Sequence, residues 1–182
     1  NIHEHAVLSD VLERKGSGFT ARHGEDFVMA NNAQWVGFSV EIGPDGALYV
    51  LDWHDADICG ADVLHHETGR IFRIAPTESR AADWPGRYSD LQTMSDAELV
   101  ALQTSRSDWH ARRARVILQG RAARGTLGPQ TRADLLRMFK TDGNADWRVR
   151  AMWALQVTGG WRSDELGELI GALTDRGGRV RA

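Results

Sequence analysis

Between Trp35 and Ile42 apolar and polar positions alternate, with Phe38, Val40 and Ile42 separated by Ser39 and Glu41. A period of two is that of a half-buried strand. A second apolar run, Leu48-Tyr-Val-Leu51, follows a Gly43-Pro-Asp-Gly46 turn that combines the pre-set φ of proline with the free φ of glycine. The pattern predicts a β-hairpin over residues 35–42 and 48–53 that closes on the polar cluster Asp52, Trp53, His54 and Asp55. Further strands are expected over 6–12 and 19–22, around the Gly16-Ser17-Gly18 turn. Another is expected over 70–74, where the adjacent Ile71 and Phe72 predict burial on both faces. Residues 26–32 read as a helical turn or loop, and 54–68 as a long polar loop.

From Ser89 the period changes to that of a helix. Ser95-Asp-Ala-Glu98 is a capping box and opens a helix through Thr104. Ser107 or Asp108 caps the next, which runs to about Arg124 and stops at Gly125. Pro129 sits at the start of a third, with Leu135, Leu136 and Phe139 on its apolar face. Asp146 caps a fourth, over 147–157 and closed by Gly159-Gly160, and Ser163-Asp-Glu opens a fifth that ends near Thr174. Asp108-Trp-His-Ala-Arg-Arg-Ala-Arg aligns with Asp146-Trp-Arg-Val-Arg-Ala-Met-Trp at an offset of 38, and the Arg-Val-Arg-Ala of 148–151 restarts at 179–182 after a further 31. Helix pairs that repeat every ~30–45 residues predict a solenoid, since one pair cannot bury its apolar face alone. The expected organisation is β then α: the last blade or blades of a β-propeller over 1–76, a linker over 77–88, and an α-solenoid of HEAT-like pairs over 89–182. The repeat broken off at Ala182 and the non-Met start lead us to expect part of a longer polypeptide.

Charge divides the chain in the same place. Residues 1–80 hold 6 Lys/Arg against 13 Asp/Glu, a net of −7, and 81–182 hold 16 against 12, a net of +4. The arginines of the second part alternate with acids at helical spacing. They read as solvated faces and ion pairs within the repeats, which argues against a nucleic-acid partner. No apolar run reaches the ~18 residues of a membrane span. The single cysteine, Cys59, excludes an internal disulfide and a Cys-only metal site, and beside acids its thiol is unactivated.

Six of the seven histidines lie in the first part, and with its acids they make the candidate chemistry. Asp52, His54, Asp55 and Asp57, with His65 and His66, carry donors for a transition metal or for Ca²⁺. The same residues suit a cofactor or substrate rim, or a polar loop tied by Asp–His and Asp–backbone hydrogen bonds. His3 and His5 share a face if their segment is a strand, and a histidine there suits a general base; packing against a neighbouring strand is the alternative. Trp109, Trp147, Trp153 and Trp161 read as core or inter-repeat packing, with ligand stacking as the alternative.

Taken in order, several stretches resemble one family. They are Asn1-Ile-His3, Asp10-Val-Leu-Glu-Arg-Lys-Gly-Ser-Gly18, Asp26-Phe-Val, Gly43-Pro-Asp-Gly46, Asp52-Trp-His-Asp55 and Thr68-Gly-Arg-Ile-Phe-Arg-Ile74, then Trp109-His-Ala-Arg-Arg-Ala-Arg and Ala151-Met-Trp-Ala-Leu-Gln-Val-Thr-Gly159. The family is that of large bacterial dehydrogenase-like proteins with a glucose/sorbosone dehydrogenase-type propeller, HEAT repeats and, in many members, a c-type cytochrome domain. The resemblance implies an exported, periplasmic protein of sugar or alcohol oxidation. It implies pyrroloquinoline quinone and Ca²⁺ as cofactors, and haem in a domain outside this chain. In that frame His3 and His54 are the catalytic candidates. Asp52, Trp53 and Asp55 are the cofactor-binding ones, and Asp55, Asp57, His65 and His66 the metal ligands. The helical repeats become a scaffold for a protein partner. With too few strands for a propeller, the segment alone is not expected to catalyse. The rival reading is a non-enzymatic module that binds protein or glycan.

Overall fold

The structure, a computed structural model, describes residues 3–16, 18–55, 66–77 and 85–172. It divides into two compact units, 1–87 and 88–182. The first carries all seven strands and the second all five α-helices found among the described residues.

In the first unit β1 (Ala6–Val7) pairs antiparallel with β4 (Val28–Met29), and β2 (Asp10–Lys15) with β3 (Gly18–His23). The third sheet has the order β5-β6-β7, from Gly37–Ile42, Leu48–Asp52 and Arg70–Ile74. The expected hairpin is its β5–β6 pair. Its turn closes through Gly46 N–H to Gly43 O at 3.0 Å, with Gly46 at φ +74, a left-handed conformation in which a Cβ is disfavoured. Two ion pairs brace the sheet. Buried Asp45 accepts from Arg73 Nε at 2.7 Å, from Ala47 N–H at 3.1 Å and from the Tyr49 hydroxyl at 3.4 Å. Asp52, seven residues on, pairs with Arg70. Among the described residues the buried apolar set here is Ala6, Trp35, Val36, Ala47 and Val50.

The helical unit is built on local caps. Ser95 and Glu98 form the expected capping box of α1 (Asp96–Ala101), and hydrogen bonds from the Ser95 hydroxyl and amide hold the Glu98 carboxyl below its usual range. Ser107 caps α2 (Asp108–Ala123), which ends where Gly125 N–H reaches Ala122 O and Thr126 N–H reaches Arg121 O, with Gly125 at φ +68. Before α3 (Thr131–Thr141) the cap position is Gln130, one residue past Pro129. Asn144, rather than Asp146, caps α4 (Ala145–Val157), accepting the Asp146 N–H at 2.9 Å. A 3-10 turn over Ser163–Glu165 leads into α5 (Leu166–Ala172).

Helices α1 and α4 each pack on both α2 and α3, which closes a ring. Each of the four contributes one fully buried leucine, Leu99, Leu118, Leu135 and Leu155, to a single core. Asp96 fastens that ring from the polar side. It accepts from Arg121 Nη1 and from Gly128 N–H, each at 2.5 Å, and from Thr131 Oγ1 at 3.2 Å. Arg121 also donates to Met94 O at 2.7 Å and Gln92 O at 3.0 Å.

Three expectations are corrected. The propeller is not formed: among the described residues the sheets have two, two and three strands, and a blade takes four. The short pairs end because β1 and β4 are two residues long and the β2–β3 hairpin is solvent-exposed throughout. Nor do the described residues form a long solenoid repeat; the recurring Asp-Trp signal marks the starts of α2 and α4, two members of one ring around a shared core. Lastly, β7 is not buried on both faces, because Ile71 and Phe72 are exposed at the sheet edge. The restarted Arg-Val-Arg-Ala at 179–182 lies outside the described residues.

Candidate functional site

Strand β6 ends at Asp52, which faces Gly37 on β5 and Arg70 on β7 in register. Its side chain is buried and committed on both oxygens. Oδ1 accepts the Val36 N–H at 2.7 Å and the His54 N–H at 3.0 Å. Oδ2 accepts from Arg70 Nε at 2.8 Å, with Arg70 Nη2 at 2.6 Å. Both nitrogens lie against the same oxygen, and the Nε–H bond to it is a charge-assisted hydrogen bond. Trp53 N–H donates to Val36 O at 3.0 Å, and Thr68 Oγ1 to His54 O at 3.2 Å. His54 adopts φ +54, so the chain turns sharply just after Trp53. Asp52 thus fixes the backbone on either side of the indole.

What this frame holds out is aromatic. Trp53 is 46% exposed and Phe38 55% exposed, with ring centroids 6.1 Å apart in an edge-to-face pair at 73°. Phe38 reaches the cleft because the register shifts between Gly37 and Ser39, a bulge that re-aims one side chain. Gly37 is required beneath it, since a Cβ there would stand 2.2 Å from the Trp35 ring. Phe38, Trp53, Leu51 and Ile71 wall a cleft of about 410 Å³ whose polar lining comes from Asp52, Arg70 and His66. Arg70 is also stacked 5.1 Å from the Phe72 ring centre.

Of the predicted site residues, Asp52, Trp53 and His66 line this cleft. His54 lies just past it, and Asp55 is buried without forming its wall. His3 is exposed in a turn ahead of β1, away from the cleft lining. The expected strand face shared by His3 and His5 is not formed, because residues 3–5 are a turn with His5 at φ +53. His5 Nδ1 lies 2.7 Å from Trp35 O. Asp57, Cys59 and His65 lie outside the described residues.

The described residues hold no group of three or more His, Cys, Asp or Glu side chains placed to bind a metal. Asp52 does not fit a Ca²⁺ ligand, since its oxygens already serve two amides and Arg70. Arg70, the one Arg or Lys among the described lining residues, has its charge compensated by Asp52, so these residues offer no uncompensated cation for the carboxylates of a quinone cofactor, although a guanidinium N–H can still donate to a neutral oxygen.

The sequence places Phe38, Leu51, Arg70 and Ile71 in strands but assigns none of them to a site. A signal existed for Arg70: once β7 is paired to β6, Arg70 falls opposite Asp52. In the helical unit, Trp109, Trp147 and Trp161 pack against the core as expected, whereas Trp153 is 48% exposed. No described helix is long and apolar enough to cross a membrane. No family model, curated protein or solved structure matches this chain.

Proposed function

We propose that this chain supplies the saccharide-recognising part of an exported dehydrogenase-like protein of sugar or alcohol oxidation, with Trp53 and Phe38 as the binding wall. The observation that carries the reading is the exposed edge-to-face aromatic pair beside an arginine pinned by a buried carboxylate. Exposed rings of this size are costly to hold in water, at about 25 cal/mol per Å² of apolar surface. A sugar ring offers the matching chemistry, an apolar C–H face to stack on the indole and a rim of hydroxyls for Arg70 and His66. The cleft volume falls in the range of small-molecule sites, roughly 300–1,000 Å³, with an apolar lining and few polar groups.

In this reading the residues bind and orient. Trp53 and Phe38 take the C–H face, Arg70 donates to hydroxyl oxygens on the rim, and Asp52 keeps Arg70 and the Trp53 backbone in place. The motif resemblance supports the dehydrogenase-like context, and electron transfer falls to parts of the protein other than this cleft.

The test is heteronuclear NMR of the chain titrated with neutral mono- and disaccharides, reading the indole N–H signals, with the Trp53 signal assigned through W53F. Millimolar binding that shifts Trp53 is expected, and W53A should weaken it by about tenfold, the equivalent of about 1.4 kcal/mol. Absence of any Trp53 shift with every sugar, or equal binding by W53A, refutes the assignment.

A further inference from the structure

Three arginines of the helical unit converge on one carboxylate. Arg112 and Arg115 stand one turn apart on α2, and Arg150 stands on α4, which packs against it. Asp108 serves two of them: Arg112 Nε lies 3.5 Å and Arg150 Nη2 3.1 Å from its oxygens. Arg150 is further held by Ser105 O at 2.6 Å and Gln103 O at 3.2 Å.

Arg115 is left differently. It is half-buried, and its one hydrogen bond is a long contact of 3.4 Å from Nη1 to Gln103 Oε1. Its guanidinium lies 5.1 Å from the Trp153 ring centre, and that indole is itself half-exposed. Burial disfavours its charge, Asp108 favours it from a distance, and Arg150 and Arg112 oppose it. A guanidinium keeps its proton regardless. The group of four therefore carries a net charge of +2 beside an exposed aromatic face, and among the described residues no carboxylate is in contact with Arg115.

We propose that Arg115, Arg112 and Trp153 form a binding site for a doubly charged tetrahedral oxyanion of the phosphate class. The charge excess matches a dianion. The planar forks of Arg112 and Arg115 suit bidentate contact to its oxygens, and Trp153 walls the site while holding Arg115 in orientation through its π face. Arg150 is spoken for by Asp108 and two carbonyls and contributes only its field. The site lies wholly in the helical unit and does not depend on the saccharide reading.

Inorganic phosphate is the probe, titrated into the full chain against sodium chloride of matched ionic strength, with the Trp153 indole N–H followed by NMR. Saturable binding is expected for phosphate, with acetate about tenfold weaker because it brings a single charge. R115Q should weaken phosphate binding by about tenfold, and R115K should recover only part of that loss, since it restores the charge without the fork. Should R115Q fail to fold, R112Q, at a well-exposed position, serves in its place with a loss of several-fold. R113Q removes the same charge from an exposed neighbour outside the cluster, and should bind as the unaltered chain does. The proposal is overturned if matched chloride reproduces the phosphate response, if acetate binds as tightly as phosphate, or if R113Q and R115Q weaken binding equally.

Discussion

Replacing Asp96 should loosen the whole helical ring, because one carboxylate joins α1 to the end of α2, to the α2–α3 connection and to the start of α3. Asp96→Ala removes three acceptor contacts and leaves Arg121 with only its two carbonyl bonds. Breaking a fully buried pair costs about 3–5 kcal/mol. The Asp96 and Arg121 side chains remain 16% and 18% exposed, so some solvent compensation applies and we take about 2–3 kcal/mol. For a unit of this size that corresponds to a fall in Tm of roughly 10–20 °C. Asp96→Asn keeps an acceptor for Gly128 but loses the charge, and should cost about half as much.

The assay is thermal and denaturant unfolding followed by ellipticity at the helix band, where only the second unit contributes helix among the described residues. The pH dependence gives a second check. Burial pushes the Asp96 carboxyl up, but the Gly128 amide and Arg121 together outweigh it and hold the group below its ordinary value. A lowered folded value means the stabilisation is fully present above the unfolded value of about 3.9 and is lost as pH falls through the folded one. The gap between the unaltered chain and Asp96→Asn should therefore hold from neutral pH to about 5 and close below about 4. A cost under about 0.5 kcal/mol for Asp96→Ala, or a gap that persists undiminished in strong acid, would refute the reasoning.

In the sheet unit, Asp52→Ala strands the Val36 and His54 amides together with Arg70 and should cost about 3 kcal/mol locally, whereas Asp52→Asn keeps an acceptor for both amides and should cost about half that. Hydrogen exchange of the β5–β6 peptide reads this directly, and equal protection in the alanine and asparagine variants would count against the assigned roles. Gly43→Ala would place a Cβ 2.3 Å from Tyr49 Cε2, so the ring must leave Asp45 and the hairpin should lose about 1–3 kcal/mol. Unaltered exchange at Ala47 and Tyr49 would show that the ring moves without cost.

Local signals in this chain proved legible and long-range ones did not. Ser95 with Glu98, Ser107, Gly125 and the Pro-Asp-Gly turn each act within a few residues, so the string of letters holds the whole interaction. The propeller expectation required strands to find partners in further sheets, and periodicity says nothing about strand order. Residues 71 and 72 show the consequence: adjacent apolar letters predict two covered faces, yet cover depends on which layers are present. The solenoid expectation failed similarly, since Trp109 and Trp147 reported two equivalent helix starts but not the closure of four helices around Leu99, Leu118, Leu135 and Leu155. The candidate site was half legible. Trp53 and Asp52 were named, while Phe38 entered through a bulge that no alternation pattern encodes.

A common physical cause underlies these reversals. Asp52 drew attention as a cofactor contact and Asp45 only as part of a turn, yet both are buried and brace a sheet in which few described apolar side chains are buried. Few buried apolar contacts leave more to directional bonds, and a carboxylate that accepts from backbone amides and an arginine supplies several at one point. Trp153 drew attention as packing and Trp53 as a cofactor contact, and among the described tryptophans these two are left half in solvent, each in a setting that includes an arginine. A large ring kept at the surface loses apolar burial that the rest of its own unit could have supplied. In both proposals made above, an exposed ring beside a positioned guanidinium is where the unit would regain that burial, against a ligand.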